Sequence, residues 1–294
     1  SWDNEKEEED MQPGVMQQWR LHFSYYNPTE IVATPNYIFA IGNGSLYAVD
    51  RRSETIEYFD KSNGLTGSTI AHIAYDNASG QLIICYEDGR IDLLDQEGNI
   101  TQMPDLFLKA GSMAVDIQCI TVGKRHTYLG MSFGIVAINP RKAEVTETYY
   151  IGPEASSVPV QQIVEWGDSL YAFSDNRVFS AALTDNLVDY TFWKETALPC
   201  ERVQQAVVFN NCLYTLQHDS LYMRQGNQWI QVVPNKLEWI HVSGGQLLTY
   251  QRNNGLLRLT EEHKLTGLTG AYVAADAIYS NGTYWLAEEG QGLV

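Results

Sequence analysis

A short apolar strand, a turn rich in Gly, Asn, Asp or Ser, and an aliphatic residue opening the next strand recur seven times along the chain. The recurrences are GNGSLYAVD at Leu46, EDGRIDLLD at Ile91, SFGIVAIN at Ile135, SDNRVFSAA at Val178, QHDSLYMR at Leu221, QRNNGLLRL at Leu256 and EEGQGLV ending at Leu293 and Val294. Successive spacings are 45, 44, 43, 43, 35 and 37 residues. A period of 20 to 50 residues is the mark of a repeat architecture and takes precedence over any local reading. The second repeat reads as four strands, IAHIAYD, QLIICYE, RIDLLD and NITQMP, separated by turns at Ala78 to Gly80, Asp88-Gly89 and Gln96 to Gly98. LIICY is apolar on both faces, as a strand pressed between neighbouring sheets must be, whereas TIEYFD, EVTETYY and VDYTFWK alternate as outer strands do.

This pattern predicts an all-β fold, a seven-bladed β-propeller of four-stranded antiparallel blades, closed by an N-terminal strand. The blades are expected near 29–68, 69–113, 114–157, 158–201, 202–235, 236–272 and 273–294, with 17–294 forming one domain after a disordered acidic tail at 1–16. The last repeat stops inside or before its third strand, so the strand-like WRLHFSYYN at 19–27 is expected to pair onto it as the outermost strand.

Composition narrows the functional classes. Of 294 residues, 36 are Asp or Glu and 19 are Lys or Arg, a formal net charge of −17. That balance argues against a nucleic-acid binder or an anionic membrane surface as the default partner, since gripping phosphates needs a basic stripe. The dense charge run, EKEEED at Glu5 to Asp10, is acidic. No apolar run approaches the ~18 residues needed to cross a bilayer as a helix. Cys85, Cys119, Cys200 and Cys212 lack the CxxC spacing of a zinc or redox site and read as buried small hydrophobes more readily than as disulfide partners.

The repeats resemble the two-component-regulator type of propeller repeat, best in ITVGKRHTYLGMSFGIVAIN and AIYSNGTYWLAEEGQGLV. From Trp19 to about Gly152 the chain is similar to the first propeller of PorZ-like proteins of the Bacteroidetes type IX secretion system. The segments that carry this are WRLHFSYYNPTEI, SLYAVDRRSETIEYFDKSNGLTGS, IAHIAYDNASGQLIICYEDGRIDLL and FGIVAINPRKAEVTETYYIG. The resemblance implies an exported protein at the periplasm or outer-membrane surface of a Gram-negative bacterium, with a second propeller and a sorting domain further along. It implies other secretion-system proteins or anionic lipopolysaccharide as partners. No catalytic motif belongs to that family.

Propeller ligand sites usually lie where the turns between second and third strands gather with the loops between blades. Those turns contribute Asp88, Arg90, Asp175, Arg177, His218, Asp219, Arg252, Asn253, Glu288 and Glu289. Such a mixed-charge rim can hydrogen-bond a sugar or a peptide; equally, turns are polar because water surrounds them. Arg90, Arg177 and Arg252 are the turn cations that an anionic glycan would need.

Enzyme signatures are missing: there is no Asp-box, no HExxH pair among the six histidines, and GNGS at Gly42 stands between strands without the helix a phosphate loop requires. Trp166, Trp193, Trp229, Trp239 and Trp285 could stack on sugars but are ordinary core filling for blades. The expected function is therefore a non-enzymatic binding or assembly module without cofactor or metal. The alternative is a periplasmic ligand-sensing propeller of a hybrid two-component sensor histidine kinase responding to polysaccharide fragments.

Overall fold

A computed structural model of the chain describes residues 4–7, 18–21, 28–103, 116–198, 202–234, 236–269 and 273–288. Glu289, Cys200 and His22 fall outside them. The described residues are almost entirely strand and tight turn, with three single 3-10 turns and no α-helix.

Six sheets each use four strands in chain order. Blade one holds β3 (Pro28–Ala33), β4 (Tyr37–Gly42), β5 (Ser45–Asp50) and β6 (Ile56–Phe59). Blade two holds β7 (Ile70–Asp76), β8 (Gln81–Tyr86), β9 (Ile91–Leu94) and β10 (Ile100–Met103). Blade three holds β11 (Ile117–Val122), β12 (Thr127–Met131), β13 (Ile135–Asn139) and β14 (Glu144–Tyr149). Blade four holds β15 (Gln162–Trp166), β16 (Ser169–Ser174), β17 (Arg177–Ala182) and β18 (Lys194–Ala197). Blade five holds β19 (Gln205–Phe209), β20 (Cys212–Gln217), β21 (Ser220–Gln225) and β22 (Gln228–Val233). Blade six holds β23 (Ile240–Ser243), β24 (Gln246–Gln251), β25 (Gly255–Leu259) and β26 (Leu265–Thr269).

The expectation of seven four-stranded antiparallel blades is corrected by the remaining sheet. It is mixed, in the order β1 (Asn4–Glu7), β2 (Gln18–Leu21), β28 (Thr283–Glu288), β27 (Ala274–Ser280), and β2 runs parallel to β28. The propeller therefore has six blades of the expected kind. The physical reason is connectivity. An antiparallel neighbour is supplied by a tight hairpin, whereas β2 comes from the far end of the chain, where no short turn dictates its direction. Trp19, expected in the outermost strand, stands opposite Trp285 of β28, and β1 pairs outside β2.

The chain divides into two compact units, residues 60–211 and residues 1–59 with 212–294. Within 60–211, alternation along the middle strands of blade three sends side chains to two different cores. Leu129, Met131, Val136 and Ile138 join Ile83, Cys85, Ile91 and Leu93 of blade two. Tyr128, Ile135, Ala137 and Tyr149 join Ile163, Leu170, Ala172 and Phe179 of blade four. In the other unit the mixed sheet is shared likewise. Ile278, Trp285 and Ala287 meet blade one, and Ala274, Ala277, Tyr284 and Leu286 meet blade six. In blade two, β8 and β9 are apolar at every position but Gln81 and Asp92, and all but Gln81 are buried, as strands with both faces out of water require.

Asp92 is fully buried but well satisfied. It accepts from the Tyr86 hydroxyl at 2.6 Å, the Thr66 hydroxyl at 2.6 Å and the Thr66 N–H at 2.8 Å, fastening the segment that leads into blade two. Hairpin turns follow the sequence: Asn43-Gly44 and Asn281-Gly282 both adopt positive φ, as the turns that match strand twist require.

Close backbone approach fixes one glycine. A Cβ at Gly130 would stand 2.4 Å from the Val160 carbonyl and 2.5 Å from Cys119 Sγ. The Val160 N–H is itself bonded to the Met131 carbonyl at 3.0 Å, so the strand leading into blade four cannot retreat. Gly130→Ala is expected to destabilise the protein by about 1–3 kcal/mol through overpacking, read as a lowered midpoint in urea denaturation.

Candidate functional site

Several of the residues singled out from the turns are held by partners in or beside their own blade. In blade two, Arg90 sits 3.1 Å from Asp88 and donates to the Thr66 carbonyl at 2.7 Å. In blade four, Asp175 exchanges two hydrogen bonds with the Gln161 amide, at 2.7 and 3.1 Å. Arg177 lies 3.5 Å from Glu195 and stacks over Phe179 at 5.2 Å. Glu288 closes β28 opposite Ala274.

Blades five and six bring part of the set together. His218 and Asp219 form the β20–β21 turn with both residues at positive φ, a conformation usually left to Gly or Asn. The Asp219 carbonyl accepts the Leu237 N–H at 3.0 Å, which draws the connection between the two blades against this turn. Arg252, in the β24–β25 turn, donates to Glu238 of that connection at 2.9 Å. The result is a cleft of about 310 Å³ lined by Asp219, Lys236, Leu237, Glu238 and Gln251 to Asn254. Asp219, Arg252 and Asn253 thus share one surface. Lys236 and Glu238 escaped the sequence reading because it took only the turns within blades; the VPNK stretch, with Lys236 at φ 71°, is the signal that marks a sharp connection there.

The five tryptophans serve as core filling in the main. Trp193, Trp239 and Trp285 are buried, Trp239 stacks on Tyr250, and its indole N–H donates to the Ala274 carbonyl at 2.9 Å. Cys85 and Cys119 are buried and Cys212 is half-buried. Burial pushes the Cys119 thiol up to about 12, which leaves it unreactive. Among the described residues no group of His, Cys, Asp and Glu is arranged to hold a metal, and no helix is long and apolar enough to cross a membrane.

The family described as the N-terminal β-propeller domain of PorZ of the type IX secretion system matches residues 38–194, more than half of the chain. The chain belongs to this PorZ N-terminal propeller family. Among solved structures it is similar to PorZ of Porphyromonas gingivalis, described as an essential bacterial surface component of the type IX secretion system. There the identity is 21% and the TM-score 0.74, over 95% of this chain and 35% of that one. It is similar also to the extracellular domain of a hybrid two-component system of B. thetaiotaomicron, at 13% identity and a TM-score of 0.70 over 91% of this chain and 39% of that one. The extracellular domain of a one-component system from the same organism gives 12% identity and a TM-score of 0.52, over 95% of this chain and 46% of that one. At these identities the likenesses speak to the fold, and the chain spans less than half the length of each of these solved chains. No curated protein matches.

One titrating contact ties three first strands together. His241 Nδ1 of β23 lies 2.7 Å from Asp276 of β27, whose carboxylate also accepts the Ile31 N–H of β3 at 3.0 Å. Burial pulls the imidazole pKa down, but the Asp276 charge and hydrogen bond, helped by Glu30, outweigh it and leave His241 above its ordinary value. A raised folded-state pKa contributes stability that is fully present below the unfolded value near 6.5 and is lost as pH rises through the raised value. Urea midpoints are therefore expected to fall from pH 6 to pH 8, and Asp276→Asn should flatten that dependence; a profile with the same slope in both proteins contradicts the pairing.

Proposed function

We propose that the chain is a non-enzymatic binding and assembly module of an exported PorZ-like protein of the type IX secretion machinery, presenting its turns to a partner protein or to cell-surface lipopolysaccharide. The observation that carries this reading is the family match over residues 38–194. A propeller suits the task physically: rigid sheets hold short turns in place, so binding costs little ordering entropy. The cleft of blades five and six brings turn residues of the predicted rim together, and Arg252, with 59% of its side chain exposed, lines it beside a second cation, Lys236. An exported, cell-envelope location and partners within the secretion system belong to the same proposal.

A second reading is a periplasmic sensor propeller of a hybrid two-component system responding to polysaccharide fragments, favoured by the likeness to the B. thetaiotaomicron extracellular domain. The residues encoded after Val294 separate the two. A second propeller with a small sorting domain supports the first, and a membrane helix with a kinase supports the second.

The test is capture on the immobilised chain of detergent-solubilised outer-membrane proteins and of lipopolysaccharide from a bacterium with a type IX system. Arg252→Glu combined with Asp219→Arg should weaken retention of the captured partner at least tenfold with an unchanged melting temperature. Retention that ignores both substitutions would move the interface off this cleft, and no retention of either class would contradict the assembly role.

A further inference from the structure

One cleft within residues 60–211 is lined by none of the turn residues singled out by sequence. It is a cleft of about 470 Å³ between blades three and four, a volume in the range of small-molecule sites. Its walls come from the opposite end of the strands: the β11–β12 turn at Lys124 to His126, the β15–β16 turn at Gly167 and Asp168, and the loop after β17 at Leu183 to Leu187.

The floor is built of two tyrosines whose rings are buried in the shared core while their hydroxyls reach the cleft. Tyr149 donates to Glu147 at 2.7 Å, and Tyr128 donates to Glu165. Glu165 is held further by the Lys124 N–H at 3.1 Å. Each carboxylate is thus oriented by a tyrosine whose ring is packed in the core, with lone pairs left over. His126 adds a ring nitrogen, Nδ1, that is shielded from solvent and has no hydrogen-bond partner. Asp168 and Asp185 supply acceptors at the rim, Lys124 and Arg125 supply donors, and Asn186 supplies both.

We propose that this cleft binds a neutral, hydroxyl-rich saccharide unit. Four carboxylates and two cations share the lining, so an anionic ligand meets excess like charge and a cationic one meets Lys124 and Arg125. A sugar hydroxyl donates to a carboxylate and accepts from a neighbouring N–H at once, which matches alternating fixed acceptors and donors without charge repulsion. The site is separate from the cleft of blades five and six, so it goes beyond the assembly role proposed above.

The experiment is amide NMR titration of the chain with maltose, cellobiose and lactose, and in parallel with digalacturonate and with lysine amide. At least one neutral disaccharide is expected to shift the amides of 124–126 and 184–186, with a Kd of about 1 mM or tighter. Asp185→Asn and Glu165→Gln should each weaken it at least fivefold. Glu97→Gln, on an exposed turn of blade two, should leave it unchanged, and so should Arg252→Glu, which separates this site from the assembly cleft. Binding of none of the neutral sugars overturns the proposal; so does equal or tighter binding of either charged probe, or binding insensitive to Asp185→Asn and Glu165→Gln.

Discussion

Everything in this fold rests on sheets that are apolar on both faces and must be covered on both. A blade presents two buried surfaces, and period-two alternation decides which neighbour each side chain meets. Blade three shows it residue by residue: Tyr128 and Ile135 turn to blade four, while Leu129 and Val136 turn to blade two. At ~25 cal/mol per Å² of apolar surface removed from water, shared cores of this extent are the main stabilising contribution, and each of the four described is built from two neighbouring sheets. The same constraint accounts for the mixed sheet. β27 and β28 are covered by blades one and six, and the edge of β28 is taken by a strand from the other end of the chain.

Close stacking forces the polar groups caught between sheets into fixed partnerships. Asp92 is tolerable inside blade two because Tyr86 and Thr66 satisfy it, and Asp276 is held by His241 and the Ile31 N–H. Glu147 and Glu165 are oriented by tyrosines whose rings belong to the core. Where such oriented groups reach the ends of the sheets, a rigid surface able to recognise a ligand follows directly from the packing.

Much of this was legible in the sequence because it is local. The 43 to 45 residue spacing marked the first repeats, and the Asn-Gly turns and the apolar runs marked strands and hairpins. The family likeness read from WRLHFSYYNPTEI onward agrees with the match over 38–194. What escaped is non-local. The direction of β2 is set by pairing with residues more than 260 positions away, so no turn signal announces it, and seven blades were counted where six are of the expected kind. The connection bearing Lys236 and Glu238 and the cleft bearing Glu147 and Glu165 come from separate segments brought side by side only by stacking. Their residues carry no motif because no short stretch of chain contains the site.

The claim that neighbouring blades share their stability is tested most directly by native-state hydrogen exchange on residues 60–211 of the intact chain. Shared cores predict that the slowest amides of β8, β12 and β16 open with one common free energy and respond together to added urea, while the turns exchange quickly. Three separate opening free energies, each with its own urea dependence, would show blades that stand independently and would contradict the account.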